Sequence, residues 1–167
     1  MFDSPVGANS ILPLGSSLGN SLRHVNKLIQ RDLGVRIAPL GISLGQWYAL
    51  RTLWISDHLT QIELAQKSGA AGPAMVIAVR SLLAMGLVVR HRHRYDQRKY
   101  VISLTDKGRR LEQPALQAAI EANAAATAGI DPADVEICMR VLRQAHQNLI
   151  ANAVAVEPDS DIEAIVA

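Results

Sequence analysis

The chain has 167 residues, of which 49% are apolar, with one cysteine and a formal net charge of +2. This length fits one domain with appended helices, and the lone Cys138 excludes an intrachain disulfide framework. No apolar run approaches the roughly 18 residues of a membrane span, and the start lacks the basic and apolar regions of a secretory signal, so we expect a cytoplasmic protein without membrane contact.

The first 42 residues predict an arm followed by a helix. Residues 1–15 contain two prolines and two glycines and predict an N-terminal arm without regular structure. Apolar residues then recur at helical spacing from Ser16 to about Ala38, and Pro39 and Gly41 should end this helix.

Two capping boxes mark the next helices. Ser43 stands three residues before Gln46, and Thr60 stands three residues before Glu63, the spacing at which two side chains cap a helix start reciprocally. The second helix should end at residues 68–69. A further helix is predicted from Pro73 to Met85, with Met75, Val79 and Leu82 facing the core.

After residue 86 the spacing of the apolar residues changes from that of a helix to that of a β-strand. Residues 87–94 alternate, with Val89, His91 and His93 on one face and arginines on the other. Residues 95–98 predict a turn, and a returning strand is expected to place Tyr100, Ile102 and Leu104 on its core face, which completes a β-hairpin.

Two helices are predicted after the hairpin. The first runs from Thr105 to about Ala128, with a kink or restart at Pro114, and the second runs from Asp131 to about Ala151. Residues 153–167 form an acidic tail that we expect to be mobile. Three helices followed by a hairpin predict a mainly α fold of the α+β winged-helix type, and the apolar faces of the outer helices predict a homodimer.

The hairpin lies in the most basic part of the chain. Nine of the 17 Lys and Arg residues fall within residues 80–110, against two acidic residues. A basic segment in a nearly neutral chain indicates an anionic partner, most often nucleic acid, although a solvated charged surface is the alternative.

Five segments resemble, in order and spacing, the MarR family of bacterial regulators. They are residues 40–47 (LGISLGQW), 59–65 (LTQIELA), 82–88 (LLAMGLV), 96–98 (DQR) and 103–108 (SLTDKG). The resemblance implies a domain at 16–152, with a winged helix-turn-helix lobe at 43–104 and dimerisation helices at 16–40 and 105–152. It also implies a recognition helix in the major groove of double-stranded DNA, a wing in the minor groove, and release by a small molecule, often a phenolic or aromatic acid.

The wing carries the strongest candidates for DNA contact. A guanidinium at the hairpin tip can enter a narrow minor groove, which favours Arg98, and Asp96 could orient it through an ion pair. The other cations of the wing are Arg92, Arg94 and Lys99.

The recognition helix is unusually apolar. It offers Pro73, Ala74, Val76 and Ile77, with Arg80 and Ser81 one turn later. Apolar groups can contact thymine methyls but make no bidentate hydrogen bonds with bases, so we expect mainly van der Waals readout. Gln61 and Ser68 could add phosphate contacts near the short helix.

Four residues could bind an aromatic carboxylate. Trp47 and Arg51 share one face of the second helix, Tyr48 adds a phenol, and His24 lies on the first helix. The alternative is that both tryptophans belong to the core and that His24 and Arg51 are satisfied surface or interface groups.

Other functional classes have weaker support. His91 and His93 could share a metal ion with His58 or Asp96, but we expect no metal site and no cofactor. A buried dimer-core thiol is expected for Cys138. The sequence contains no enzyme motif, so we expect no enzyme. A protein-interaction dimer with a degenerate winged helix and a metal-responsive regulator remain alternatives to the ligand-responsive repressor.

Overall fold

The computed structural model describes residues 17–94, 96 and 98–156, with backbone alone for 153–156. The predicted arm and the acidic tail from residue 157 lie outside these residues. The helices are α1 (Leu18–Ile37), α2 (Leu44–Ile55), α3 (Gln61–Ser68), α4 (Gly72–Ala84), α5 (Asp106–Arg110), α6 (Glu112–Ala126) and α7 (Pro132–Val156). The strands are β1 (Leu59–Thr60), β2 (Val88–Arg92) and β3 (Tyr100–Leu104).

Both predicted capping boxes are present. The Gln46 Oε1 atom accepts from the Ser43 amide at 2.7 Å, and Ser43 Oγ accepts from the Gln46 amide at 3.4 Å. Thr60 and Glu63 make the equivalent pair at the start of α3. Gly69 ends α3 at φ +66°, a left-handed conformation that glycine adopts without steric cost. These local signals fix where α2 and α3 begin and where α3 ends.

The predicted hairpin is confirmed, but it belongs to a three-stranded antiparallel sheet in the order β1-β3-β2. The short β1, which the sequence did not predict, pairs Leu59 with Ile102. The predicted core face of β3 was wrong at its first residue, because Tyr100 is exposed. Instead β3 is buried on both faces from Val101 to Leu104, and helices α2, α3 and α5 all pack against it.

The core of the lobe lies between α2, α4 and the sheet. Met75, Val79 and Leu82 of α4 are buried, as predicted. Trp47 is fully buried and meets Trp54 edge to face, with ring centroids 5.7 Å apart. The Trp54 indole also donates to the Gly108 carbonyl at 3.2 Å, which connects α2 to α5.

The predicted helix from Thr105 to Ala128 is divided at Leu111 into α5 and α6, so the restart is confirmed, with Pro114 in the first turn of α6. Helix α6 packs along α1, where Arg36 binds Asp32 at 2.6 Å and Glu121 at 2.9 Å. Helix α7 continues to Val156, beyond the predicted domain end at residue 152.

Large apolar side chains remain exposed on the three outer helices, and α7 hardly touches the other elements of the described chain. They are Leu18, Leu22, Val25, Leu28, Val35, Leu116, Ile120, Ile137, Met139, Val141 and Leu149. Cys138 is exposed in the single chain, so its burial in a dimer core stays a prediction. None of the helices in the described part of the chain is long and apolar enough to span a membrane.

Candidate nucleic-acid interface

Helix α4 presents an exposed face that is mostly apolar. Pro73 and Ala74 lie at its start, Ile77 is 70% exposed, and Arg80 follows one turn later. Ser81 is half-buried, and its hydroxyl accepts from Gln46 Nε2 at 2.7 Å, so it is engaged within the lobe. The exposed face of α4 is therefore apolar with one arginine, as the sequence predicted.

The two phosphate candidates on α3 have different surroundings. Gln61 is half-exposed at the start of the helix. The Ser68 hydroxyl donates to the Ala65 carbonyl at 3.0 Å and accepts from the Ala70 amide at 3.3 Å. Ser68 thus contributes to the C-terminal cap of α3, and a phosphate contact would compete with these bonds.

The tip of the wing is built around Asp96. Its Oδ1 atom accepts from the Arg98 amide at 3.0 Å, and its carbonyl accepts from the Lys99 amide at 3.0 Å. The predicted ion pair with the Arg98 side chain was wrong for the described wing, where the carboxylate lies 3.9 Å from Lys99 Nζ instead. The hydrogen bond from the Arg98 amide to the Asp96 carboxylate stabilises the turn. The exposed Arg98 side chain is left without an ion pair to Asp96 and projects from the turn.

The strands of the wing carry further cations. Arg92 and Arg94 are exposed, as a DNA contact requires. Arg90 lies over the ring of Tyr100, with Cζ 4.0 Å from the ring centroid. This cation–π contact gives the exposed Tyr100 ring a stabilising partner at the edge of the wing.

A groove of about 490 Å³ separates the start of α3 from the wing. Its lining includes Gln61, Arg90, Arg98 and Lys99, whose side chains can donate to an anion. The pKa of Glu63 is held below its ordinary value by hydrogen bonds from the Thr60 hydroxyl and amide, against the opposing effect of burial. The carboxylate is therefore already committed to capping α3.

A polar cluster at the base of the wing was not anticipated from the sequence. Asp57 accepts from the Leu104 amide at 3.0 Å and from Arg109 at 2.5 Å. Burial alone would raise the pKa of Asp57, but the hydrogen bonds from Leu104, His58 and Arg109 lower it overall. Because these partners are up to 52 residues away in sequence, no local pattern could reveal the cluster.

His91 and His93 do not share one face of a strand, as the sequence had predicted. His93 lies beyond the end of β2, where its Nδ1 accepts from the Asp96 amide at 3.2 Å. His91 instead meets His58, with ring centroids 5.8 Å apart. Within the described residues, no three histidine, cysteine or acidic side chains converge as metal ligands.

The candidate effector residues are only partly brought together. The Arg51 guanidinium lies 5.9 Å from the Trp47 ring centroid, and Tyr48 beside them is half-buried. The buried Trp47 indole N–H has no acceptor among the described residues. His24 is exposed on α1, and the structure shows no contact between it and the other three.

Comparison with known proteins identifies the family. The MarR family model matches residues 40–99. The chain is similar to a MarR transcriptional regulator from Methanosarcina mazei Go1, with 25% identity over 80% of this chain and 96% of that one and a TM-score of 0.73. It is 30% identical to the transcriptional regulator PA3341 over 80% of this chain and 98% of that one, with a TM-score of 0.70.

This chain belongs to the MarR family. The MarR family consists of winged-helix transcription regulators rather than enzymes, and its members bind DNA as dimers. CouR from Rhodococcus jostii RHA1, whose structure is bound to p-coumaroyl-CoA, has the same fold, with 24% identity over 80% of this chain and 94% of that one and a TM-score of 0.68. The recognition helix and wing of the family correspond here to α4 and the β2–β3 hairpin.

Proposed function

We propose that this chain is a homodimeric transcription regulator that represses by occupying a pseudo-palindromic operator. The observation that carries the proposal is the exposed helix α4 beside a wing whose turn, fixed by Asp96, projects Arg98. The apolar faces of α1, α6 and α7 support a dimer. In such a dimer, the half-sites would lie about one helical turn, roughly 34 Å, apart. In this dimer, residues 43–104 would form the DNA-binding lobe, and residues 16–40 and 105–152 would form the dimerisation helices.

The test is binding of the purified full chain to duplex DNA from upstream of its own gene, measured by fluorescence anisotropy at two salt concentrations. We expect tight binding of one dimer per operator, which weakens steeply with salt because bound counterions are released from phosphates. A protein-interaction dimer would instead bind no upstream fragment, and this outcome would contradict the proposal.

The apolar face of α4 supports readout by contact with thymine methyl groups. Pro73, Ala74 and Ile77 can make only van der Waals contacts with bases in the major groove. Arg80 can donate hydrogen bonds to a guanine or a phosphate. The wing cations Arg92, Arg94, Arg98 and Lys99 would supply most of the phosphate attraction, with Gln61 as a neutral donor.

Ile77→Ala is expected to weaken operator binding about five- to thirty-fold, because about 1–2 kcal/mol of apolar contact is lost. A duplex with deoxyuridine in place of thymidine lacks the methyl groups, and it should weaken wild-type binding while leaving the variant nearly unaffected. Ile55→Ala serves as the control, since Ile55 is 81% exposed on α2. Equal wild-type affinity for the two duplexes would show that methyl groups are not read.

We also propose that an aromatic carboxylate releases the DNA by binding beside Trp47. A buried donor without an acceptor is rare, so a ligand oxygen that reached the Trp47 N–H would gain a hydrogen bond that no described residue supplies. Arg51 would hold the acid, with Tyr48 and His24 at the margin of the site. CouR, which has the same fold, is bound to p-coumaroyl-CoA, and this supports a ligand with an aromatic ring.

The effector site can be tested with 4-hydroxybenzoate as the probe. In a Trp54→Phe background the fluorescence reports on Trp47 alone, since the chain has two tryptophans. We expect quenching on titration and a Kd at least ten-fold weaker in Arg51→Gln, because a charge-assisted hydrogen bond is lost. Arg31→Gln, on α1, should bind like the parent. Unchanged affinity in Arg51→Gln would contradict the assignment.

A further inference from the structure

His58 and His91 approach each other on one face of the wing sheet. His91 of β2 lies opposite Val101 of β3, and the ring of His58, the residue before β1, contacts the Ser103 hydroxyl of β3. Residues two apart on a strand share a face, so both imidazoles lie over the same side of β3. Their ring centroids are 5.8 Å apart, with ring planes inclined at 68°.

His58 is held in this position at a conformational cost. Its φ of +62° lies in the left-handed region, which residues other than glycine rarely adopt. Its amide donates to the Asp57 carboxylate at 2.8 Å, and its Nδ1 lies 2.7 Å from the hydroxyl of the buried Ser103. Strained backbone that the surrounding contacts hold in place is concentrated at functional sites.

The Ser103 contact has a chemical consequence. A histidine that ligates a metal commonly hydrogen-bonds through its other ring nitrogen, which fixes the ring and its tautomer. The Ser103 hydroxyl can accept from Nδ1–H, and no described residue bonds Nε2 of His58. The Nε2 atom of this exposed side chain is then the one with a lone pair available to a ligand.

We propose that His58 and His91 together bind a late first-row divalent metal ion, Cu²⁺ most tightly, with water in the other positions. Two imidazoles that bind one ion with metal–nitrogen distances of about 2.0–2.1 Å place their ring centroids roughly 5–6 Å apart. The observed 5.8 Å matches this separation. Imidazole nitrogen suits Cu²⁺, Ni²⁺ and Zn²⁺, and Cu²⁺ has the highest affinity of the series.

A bound ion would join the two edge strands of the wing sheet. His58 precedes β1 and His91 belongs to β2, and the central strand β3 lies between them. The bridge would therefore restrict movement of the wing that carries Arg98. The metal site itself does not depend on the proposed function, because its occupation can be measured without DNA.

The site can be tested by titrating the full chain with Cu²⁺ and with Zn²⁺ by calorimetry and by recording the electron paramagnetic resonance spectrum of the Cu²⁺ complex. We expect one ion per chain and coupling to two imidazole nitrogens. His58→Asn, which tolerates the left-handed backbone, and His91→Gln should each weaken binding at least ten-fold. His146→Gln, on α7, should bind like wild type.

Ser103→Ala provides a second test of the geometry. It removes the group that orients His58, and loss of such a contact weakens metal binding about ten- to a hundred-fold. Thermal unfolding of each variant establishes that it is folded. Metal binding that is insensitive to His58→Asn but lost in His93→Gln would overturn the proposal in favour of a site at His91 and His93. Wild-type binding no tighter than that of a single histidine would overturn it entirely.

Discussion

Arg98→Ala is expected to weaken operator binding by about ten- to a hundred-fold at moderate salt, which corresponds to about 1.4–2.7 kcal/mol. The reason is the position of the side chain at the tip of the wing, where the minor groove concentrates negative potential. Because each dimer loses two cations from the DNA contact, one from each wing, the slope of log affinity against log salt should also fall by about two. Anisotropy titrations at four salt concentrations measure both quantities.

A control variant separates a specific role for Arg98 from a general loss of charge. Arg31→Ala removes the same charge from α1 and should change the affinity by less than about two-fold, since exposed charges farther than a Debye length from DNA are screened. Affinity and salt slope that match those of wild type in Arg98→Ala would contradict the assignment of the wing as the principal anchor.

Asp96 tests whether the geometry of the turn matters. Its Oδ1 atom accepts from the Arg98 amide, and asparagine can retain this bond while it removes the negative charge. Asp96→Asn should therefore bind DNA as tightly as wild type or more tightly. Asp96→Ala loses the bond as well, so we expect it to bind more weakly than Asp96→Asn even though the two variants have the same net charge.

Local features of the fold were predictable because their causes lie within a few residues. The boxes at Ser43 and Thr60 set the starts of α2 and α3, and the apolar period of α4 identified Met75 as core. The apolar outer face of α4 also followed from the sequence, since the same period assigns the remaining positions to solvent.

Features set by distant partners were not predictable in this way. Strand β1 has two residues, too few for any alternation to appear, and it made β3 a central strand. The burial of Val101 and the exposure of Tyr100 likewise depend on how α2, α3 and α5 pack against β3. The carboxylate of Asp57 binds groups 47 and 52 residues later, and the position of His58 beside His91 depends on its left-handed backbone.

Gly108→Ala is expected to lower the free energy of unfolding by about 3 kcal/mol or more, at the upper end of the cost of overpacking a core. A Cβ added at this buried residue would lie 2.1 Å from the Leu87 carbonyl oxygen and 3.2 Å from Leu104 Cδ2. The first neighbour is backbone at the entry to β2, which cannot rotate away as a side chain can. Relief would require α5 to move away from the wing, which would also disturb the bond from Trp54 to the Gly108 carbonyl.

Thermal and denaturant unfolding of the full chain measure this effect, with Gly45→Ala as the matched control. A Cβ at Gly45 in α2 would meet Ala78 Cβ at 3.9 Å, an ordinary van der Waals contact, so this variant should be neutral or up to about 1 kcal/mol more stable. For a chain of this size, 3 kcal/mol corresponds to a fall in Tm of roughly 6–12 °C. If both variants unfolded like wild type, α5 would have to lie farther from Leu87 than the structure places it, and the connection from the wing to α6 would be looser than we describe.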